Sequence, residues 1–209
     1  MQRCIGIDLS GPGSAHNTSV AVFRHRDKGL VLTDLVAGAD DANILRLMPQ
    51  SGVVGLDAPL SYSPIGGSRV ADRALRQAAR QSGLAPGAVM APSAPRMVYL
   101  TLRGVAVSRC IASERPGVGI VEVHPTASLA LRGAPIASVR EMKTDSRARQ
   151  ELLEWLEIKG LRGLGKLPEQ SDHSVAACAA ALAAWQWSIG KAVWLHKAEP
   201  PLHPFDYAC

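Results

Sequence analysis

The chain has 209 residues, 47% of them hydrophobic and only 4% aromatic, so one domain with a sizeable core built mainly from Ala, Val, Leu and Ile is expected. Charged residues make up 20%, with both signs interspersed, which excludes global disorder. The net charge of +5 is compatible with nucleic acid or another polyanion as partner, yet no compact Lys/Arg run exists, so any basic surface must be assembled by folding.

Cys4 to Leu9 is a short apolar run that ends at Asp8 and Ser10 and is followed by Gly11-Pro12-Gly13, the pattern of a strand entering a tight loop. Thr18–Phe23 and Leu30–Val36 are two further strands, close enough in sequence for an antiparallel meander. Asp40–Met48 reads as a short helix with Asp40 or Asp41 as its cap. Gly52–Leu60 is an almost unbroken apolar run, interrupted by Asp57, and suits a central strand covered on both faces. Arg69–Gln81 is strongly amphipathic, and residues 97–113 repeat apolar side chains at helical spacing. Val118–Val123 is another apolar strand, with a short helix at Thr126–Leu131. Asp145–Lys159 and the Ala-rich Asp172–Ile189 are longer helices, each with an acidic start. The tail from Ala198 to Cys209 is expected to wrap the surface. Together these elements predict an α/β domain over residues 1–209, with a mixed sheet flanked by helices and a helical insertion at about 61–116 after the fourth strand.

Cys4, Cys110, Cys178 and Cys209 have no close spacing, which excludes a zinc knuckle or a redox pair. The N-terminal MQRCIGIDLSG runs straight into a strand without a secretory pattern, and the longest apolar stretch, Val175–Trp187, is too short for a bilayer. A cytoplasmic protein with no membrane partner is therefore expected, and a homo-oligomer is left open.

Three acids sit near the carboxyl ends of apolar strands: Asp8 in IGIDLSG, Asp57 in VVGLDAPLS and Glu122 in IVEVHPTAS. An ionised carboxylate in such a place is costly unless a cation, amides or a metal compensates it. If the strands are adjacent the three converge, and hard oxygen ligands favour Mg²⁺ or Mn²⁺. Two such ions can activate water and stabilise a leaving phosphodiester oxygen, with Asp8 shared and Asp57 and Glu122 holding one ion each. A fourth acid, Asp172, stands at the start of the last helix, where it is also suited to be the N-cap, and His173 beside it is a candidate for proton transfer. Each acid has a plainer role open to it, as a loop cap or an arginine partner.

The segments GIDLSGPG, GLDAPLS, SRVADRALRQAAR, VEVHPTASL and SDHSVAACAAALAAW resemble the predicted ribonuclease H-like nuclease family known as domain of unknown function 429, over Ile5 to about Trp187. The resemblance implies a ribonuclease H-like fold and a nuclease activity. It matches Asp8 to the first-strand acid, Asp57 to a D-x-P strand end, Glu122 with His124 and Pro125 to an E-x-H-P motif, and Arg69, Asp72 and Arg73 to an R-x-x-D-R helix. Lys143 falls where the family often has a lysine. One departure concerns the last helix, where related folds carry D-x-x-x-D-A and this chain has Ala176 in place of the second acid.

Arg69, Arg73, Arg76 and Arg80 recur at helical spacing and, with Arg96 and Arg103, form a candidate substrate-facing cap, since Arg suits bidentate phosphate contacts. Ser10 opens a small-residue loop that can present amides to phosphate, although the loop is no Walker A motif. Actin-like ATPases also begin with a strand, an Asp and a Gly-rich turn, so a nucleotide-binding or phosphoryl-transfer protein is the second reading. A non-catalytic nucleic-acid-binding module is the third. No serine stands in a G-x-S-x-G context.

Overall fold

The computed structural model describes residues 3–27, 29–167 and 171–209. Eight strands form one mixed sheet. β1 (Arg3–Asp8), β2 (Ser19–Arg26) and β3 (Gly29–Ala37) are an antiparallel meander, and β4 (Gly52–Asp57) and β5 (Val118–Val123) run parallel to β1. β6 (Leu161–Arg162), β7 (Leu195–His196) and β8 (Asp206–Ala208) complete the spatial order β6-β3-β2-β1-β4-β5-β8-β7. Seven helices are described: α1 (Asp41–Leu47), α2 (Val70–Gln81), α3 (Val98–Glu114), α4 (Pro125–Leu131), α5 (Ile136–Glu141), α6 (Ser146–Ile158) and α7 (Asp172–Ser188).

The apolar runs of β1 and β4 are unbroken because both faces are covered. Ile5, Ile7, Val54 and Leu56 pack on one side with Ile44 of α1 and with Val107 and Ile111 of α3. Cys4, Val53 and Val121 lie on the other with α2, α4, α6 and α7. α2 and α3, both in the connection between β4 and β5, thus cover opposite faces. Leu75 of α2 is fully buried, a burial that contributes about 2 kcal/mol.

α7 is buried almost all round and rests directly on the middle of the sheet, beside β1 and β4. The approach needs small residues on both partners. A Cβ on Gly6 would collide with the Ala177 carbonyl and the Ala181 amide, and one on Gly55 would stand 2.6 Å from the Ala180 carbonyl oxygen. The alanines of α7 therefore let a helix lie closer to the sheet than larger side chains allow. Its N-cap is Ser171, whose Oγ accepts from the Ser174 amide at 3.1 Å. Asp172 is the first helical residue instead, which leaves its carboxylate free of capping.

The tail differs from its expected course. Ala198 to Asp206 stay exposed or half-buried, but β8 pairs with β5 inside the sheet, and Tyr207, Ala208 and Cys209 are buried. No described helix is long and apolar enough to cross a membrane.

Candidate active site

Asp8 and Asp57 are the last residues of β1 and β4, and the parallel register sets them side by side. Residues alternate faces along a strand. Cys4 and Gly6 precede Asp8, and Val53 and Gly55 precede Asp57, on the face covered by α7, so both carboxylates turn to that face. Burial of the Asp57 carboxyl raises its pKa well above the usual carboxylate range, the Asp8 charge and hydrogen bond raise it further, as does Glu122, and Lys143 opposes the rise.

The start of α7 closes the pair. His173 Nδ1 lies 2.6 Å from Asp8 Oδ2, and its Nε2 lies 4.0 Å from an Asp172 oxygen. The hydrogen bond to Asp8 raises the His173 pKa against the opposing effect of burial, with smaller help from both acid charges.

Glu122 has a different setting. It is opposite Leu56 in the β4–β5 register, so the pleat directs it away from the Asp8–Asp57 face. Arg69 grips it with both terminal nitrogens, Nη1 donating to Oε2 at 2.8 Å and Nη2 to Oε1 at 2.5 Å, and the Leu60 amide donates to Oε2 at 2.9 Å. Arg69 also binds Asp72, whose carboxylate accepts the Arg69 amide at 2.7 Å as part of a capping box for α2. The guanidinium lies 5.4 Å from the Tyr207 ring centre and donates to Ser61 Oγ at 2.9 Å. Burial by itself would lower the Arg69 pKa, but Glu122 and Asp72 raise it above the ordinary arginine value. The network is a buried, fully paired triad, and neither Arg69 nor Glu122 faces solvent.

The remaining candidates divide between the rim and the scaffold. Lys143 is exposed within electrostatic reach of Asp57, His124 and His173. Arg73 is exposed on α2 and donates to the Ser68 carbonyl at 2.7 Å. His124 caps α4: its Nδ1 accepts from the Ala127 amide and its Nε2 lies 3.0 Å from the Ala88 carbonyl oxygen, so the neutral Nε2–H tautomer satisfies both bonds. Burial lowers its pKa. Ser10 Oγ is held by Ser14 and Thr18, at 2.6 and 2.8 Å. Arg103 is buried, and it ties Asp41 of α1 to the Ser10 carbonyl and Thr18. It braces the loop after β1 rather than facing a substrate. A hollow of about 70 Å³ reaches Asp57, Glu122, His124 and Asp72 beneath Met90 and Met97.

The donor set at Asp8 and Asp57 fits one hard divalent cation, because Mg²⁺ is commonly held by one or two carboxylates with water and substrate oxygens as its other ligands. It does not fit three acids around two ions. Both Glu122 oxygens are taken by Arg69, and among the described residues no group of three or more His, Cys, Asp or Glu is placed to hold a metal.

A family model described as "Protein of unknown function (DUF429)" matches residues 6–200. No curated protein and no solved structure matches the chain.

Proposed function

This chain belongs to the DUF429 family, and on that premise we propose that it is a phosphodiester hydrolase acting on nucleic acid, dependent on Mg²⁺ or Mn²⁺ and built on a ribonuclease H-like fold. The observation that carries the reading is the in-register carboxylate pair, Asp8 and Asp57, at the carboxyl ends of adjacent parallel strands. The fold proposal rests on the central strand order β3-β2-β1-β4-β5, an antiparallel meander continued by two parallel strands.

A bound cation would neutralise the pair and polarise a phosphoryl oxygen. Asp8 and Asp57 would hold it. His173 Nδ1 lies against one Asp8 oxygen and orients that carboxylate. Lys143 supplies a positive charge at the rim, suited to a phosphate approaching the carboxylates. Arg69 acts indirectly: by fixing Glu122, which in turn holds the Leu60 amide, it sets the course of the chain just after Asp57. Asp172 flanks His173 and favours its charged form.

The test is hydrolysis of a labelled polynucleotide with Mn²⁺ or Mg²⁺, alongside Mn²⁺ binding measured by paramagnetic resonance. Asp8→Asn and Asp57→Asn should each remove Mn²⁺ binding and lower the cleavage rate about 100-fold or more while the fold persists. Turnover unchanged in both variants would refute the proposal.

A further inference from the structure

The outer side of α2 bears Arg73, Gln77, Arg80 and Gln81, all exposed, with Arg76 half-buried beside them. These five residues line one open trough. The one acid of α2, Asp72, is buried against Arg69 and contributes nothing to this side. Arg76 donates from Nε to the Val89 carbonyl at 2.9 Å and from Nη2 to Ser68 Oγ at 2.9 Å, and Arg73 is held by the Ser68 carbonyl. These bonds fix the guanidinium groups without neutralising them. Arg140 adds a fourth cation at the far end, where it donates to the Gly83 carbonyl just beyond the helix. Among the described residues none of the four arginines is in an ion pair, in contrast to Arg69 and Arg103.

We infer that this side of α2 is a track for the sugar–phosphate backbone of a nucleic-acid strand leading toward the Asp8–Asp57 site, an inference that rests on the proposed function. The direction follows from the helix itself. Arg69 and Asp72 at its start line the same hollow as Asp57, so Arg73 lies at the site end and Arg80 two turns further out. Arg73 and Arg80 are separated by about 10 Å along the axis, a span that covers successive phosphates of a strand. Fixed planar guanidiniums suit bidentate phosphate contacts, and the glutamines between them supply donors to phosphate or sugar oxygens. The five residues lining the trough are all Arg or Gln, without the Trp, Phe or Leu that a membrane-binding helix inserts.

The experiment is fluorescence anisotropy of a labelled single-stranded DNA of about 20 nucleotides, measured over a range of salt in the wild type and in the Asp57→Asn background, where cleavage cannot confuse the signal. Arg73→Glu with Arg80→Glu should weaken binding about tenfold or more. Arg73→Gln with Arg80→Gln should reduce the salt slope by about 1.4, two contacts at 0.7 each for single strands. The control is Arg24→Glu with Arg26→Glu, the same charge change at the other end of the sheet, which should leave the slope near that of the wild type. Equal losses in the control pair, an unchanged slope in the α2 variants, absence of binding at about 50 mM salt, or displacement by polyglutamate as effective as by DNA would each overturn the inference. Binding that depends on α2 without any cleavage by the wild type would leave this track standing and remove the hydrolase reading. Cleavage without α2-dependent binding would do the reverse.

Discussion

Asp57 and Glu122 lie on neighbouring parallel strands, a single position apart in register, yet one is short of positive charge and the other is saturated with it. Glu122 has a buried arginine on both oxygens and a backbone amide besides. Asp57 has another carboxylate as its nearest charged neighbour, and only the distant pull of Lys143 on the other side. Evidently a buried acid is by itself no sign of chemistry. What separates these two acids is whether the fold has already supplied the counter-charge.

The comparison makes its strongest demand on Arg69. Arg69→Met should strand Glu122 and Asp72 in a buried setting and cost about 3–5 kcal/mol, read as a lower urea midpoint. The two acids should then part company. Glu122→Gln leaves Arg69 with one acid fewer and should cost about 2 kcal/mol, whereas Asp57→Asn should leave stability unchanged or raise it by on the order of 1 kcal/mol, because it removes a repulsive charge. A substantial loss of stability in Asp57→Asn would show that the two regions are alike after all.

Acidity gives a third contrast. The folded Asp57 carboxyl binds its proton more tightly than the unfolded one, so metal-free protein gains stability from it below the usual carboxylate range. That contribution fades as pH rises from there through the raised folded value. Thermal midpoints of metal-free protein between about pH 4 and 8 should therefore carry a falling component that Asp57→Asn removes and Mn²⁺ suppresses. A midpoint profile identical in wild type and variant would count against a raised Asp57 pKa. The smallest effect belongs to Lys143→Met. This exposed change should alter stability by less than about 0.5 kcal/mol, but should extend the falling component to higher pH, since the charge opposing the Asp57 rise is gone.

Most of the framework was legible from periodicity. The apolar runs at Cys4–Leu9, Gly52–Leu60 and Val118–Val123 became β1, β4 and β5, and the amphipathic segment at Arg69–Gln81 became α2. Long elements announce themselves through repeated burial. β6, β7 and β8, of two to three residues each, are too short to show alternation and exist because a distant edge strand is there to pair with. The convergence of Asp8 with Asp57 could be expected from two apolar strands ending in Asp. The fate of Glu122 could not, because the face it occupies depends on the register between strands, which a single sequence does not carry. Arg69 and Arg103 were misleading for a related reason: on a helical wheel a buried arginine and an exposed one look the same until the partner acid is placed. Arg73 and Arg80 met no such acid and stayed outside.

The seating of α7 on Gly6 and Gly55 has a bearing on how the site tolerates change. Because helix and sheet meet closely at these glycines, with only alanine methyls and backbone against them, the helix works as a gauge block that sets the gap between His173 and Asp8. A methyl group at residue 6 would lift the block and open that gap, although Gly6 has no atom at the site. A tight mechanical tolerance thus falls on two positions without side chains, each two residues before an acid at the end of its strand.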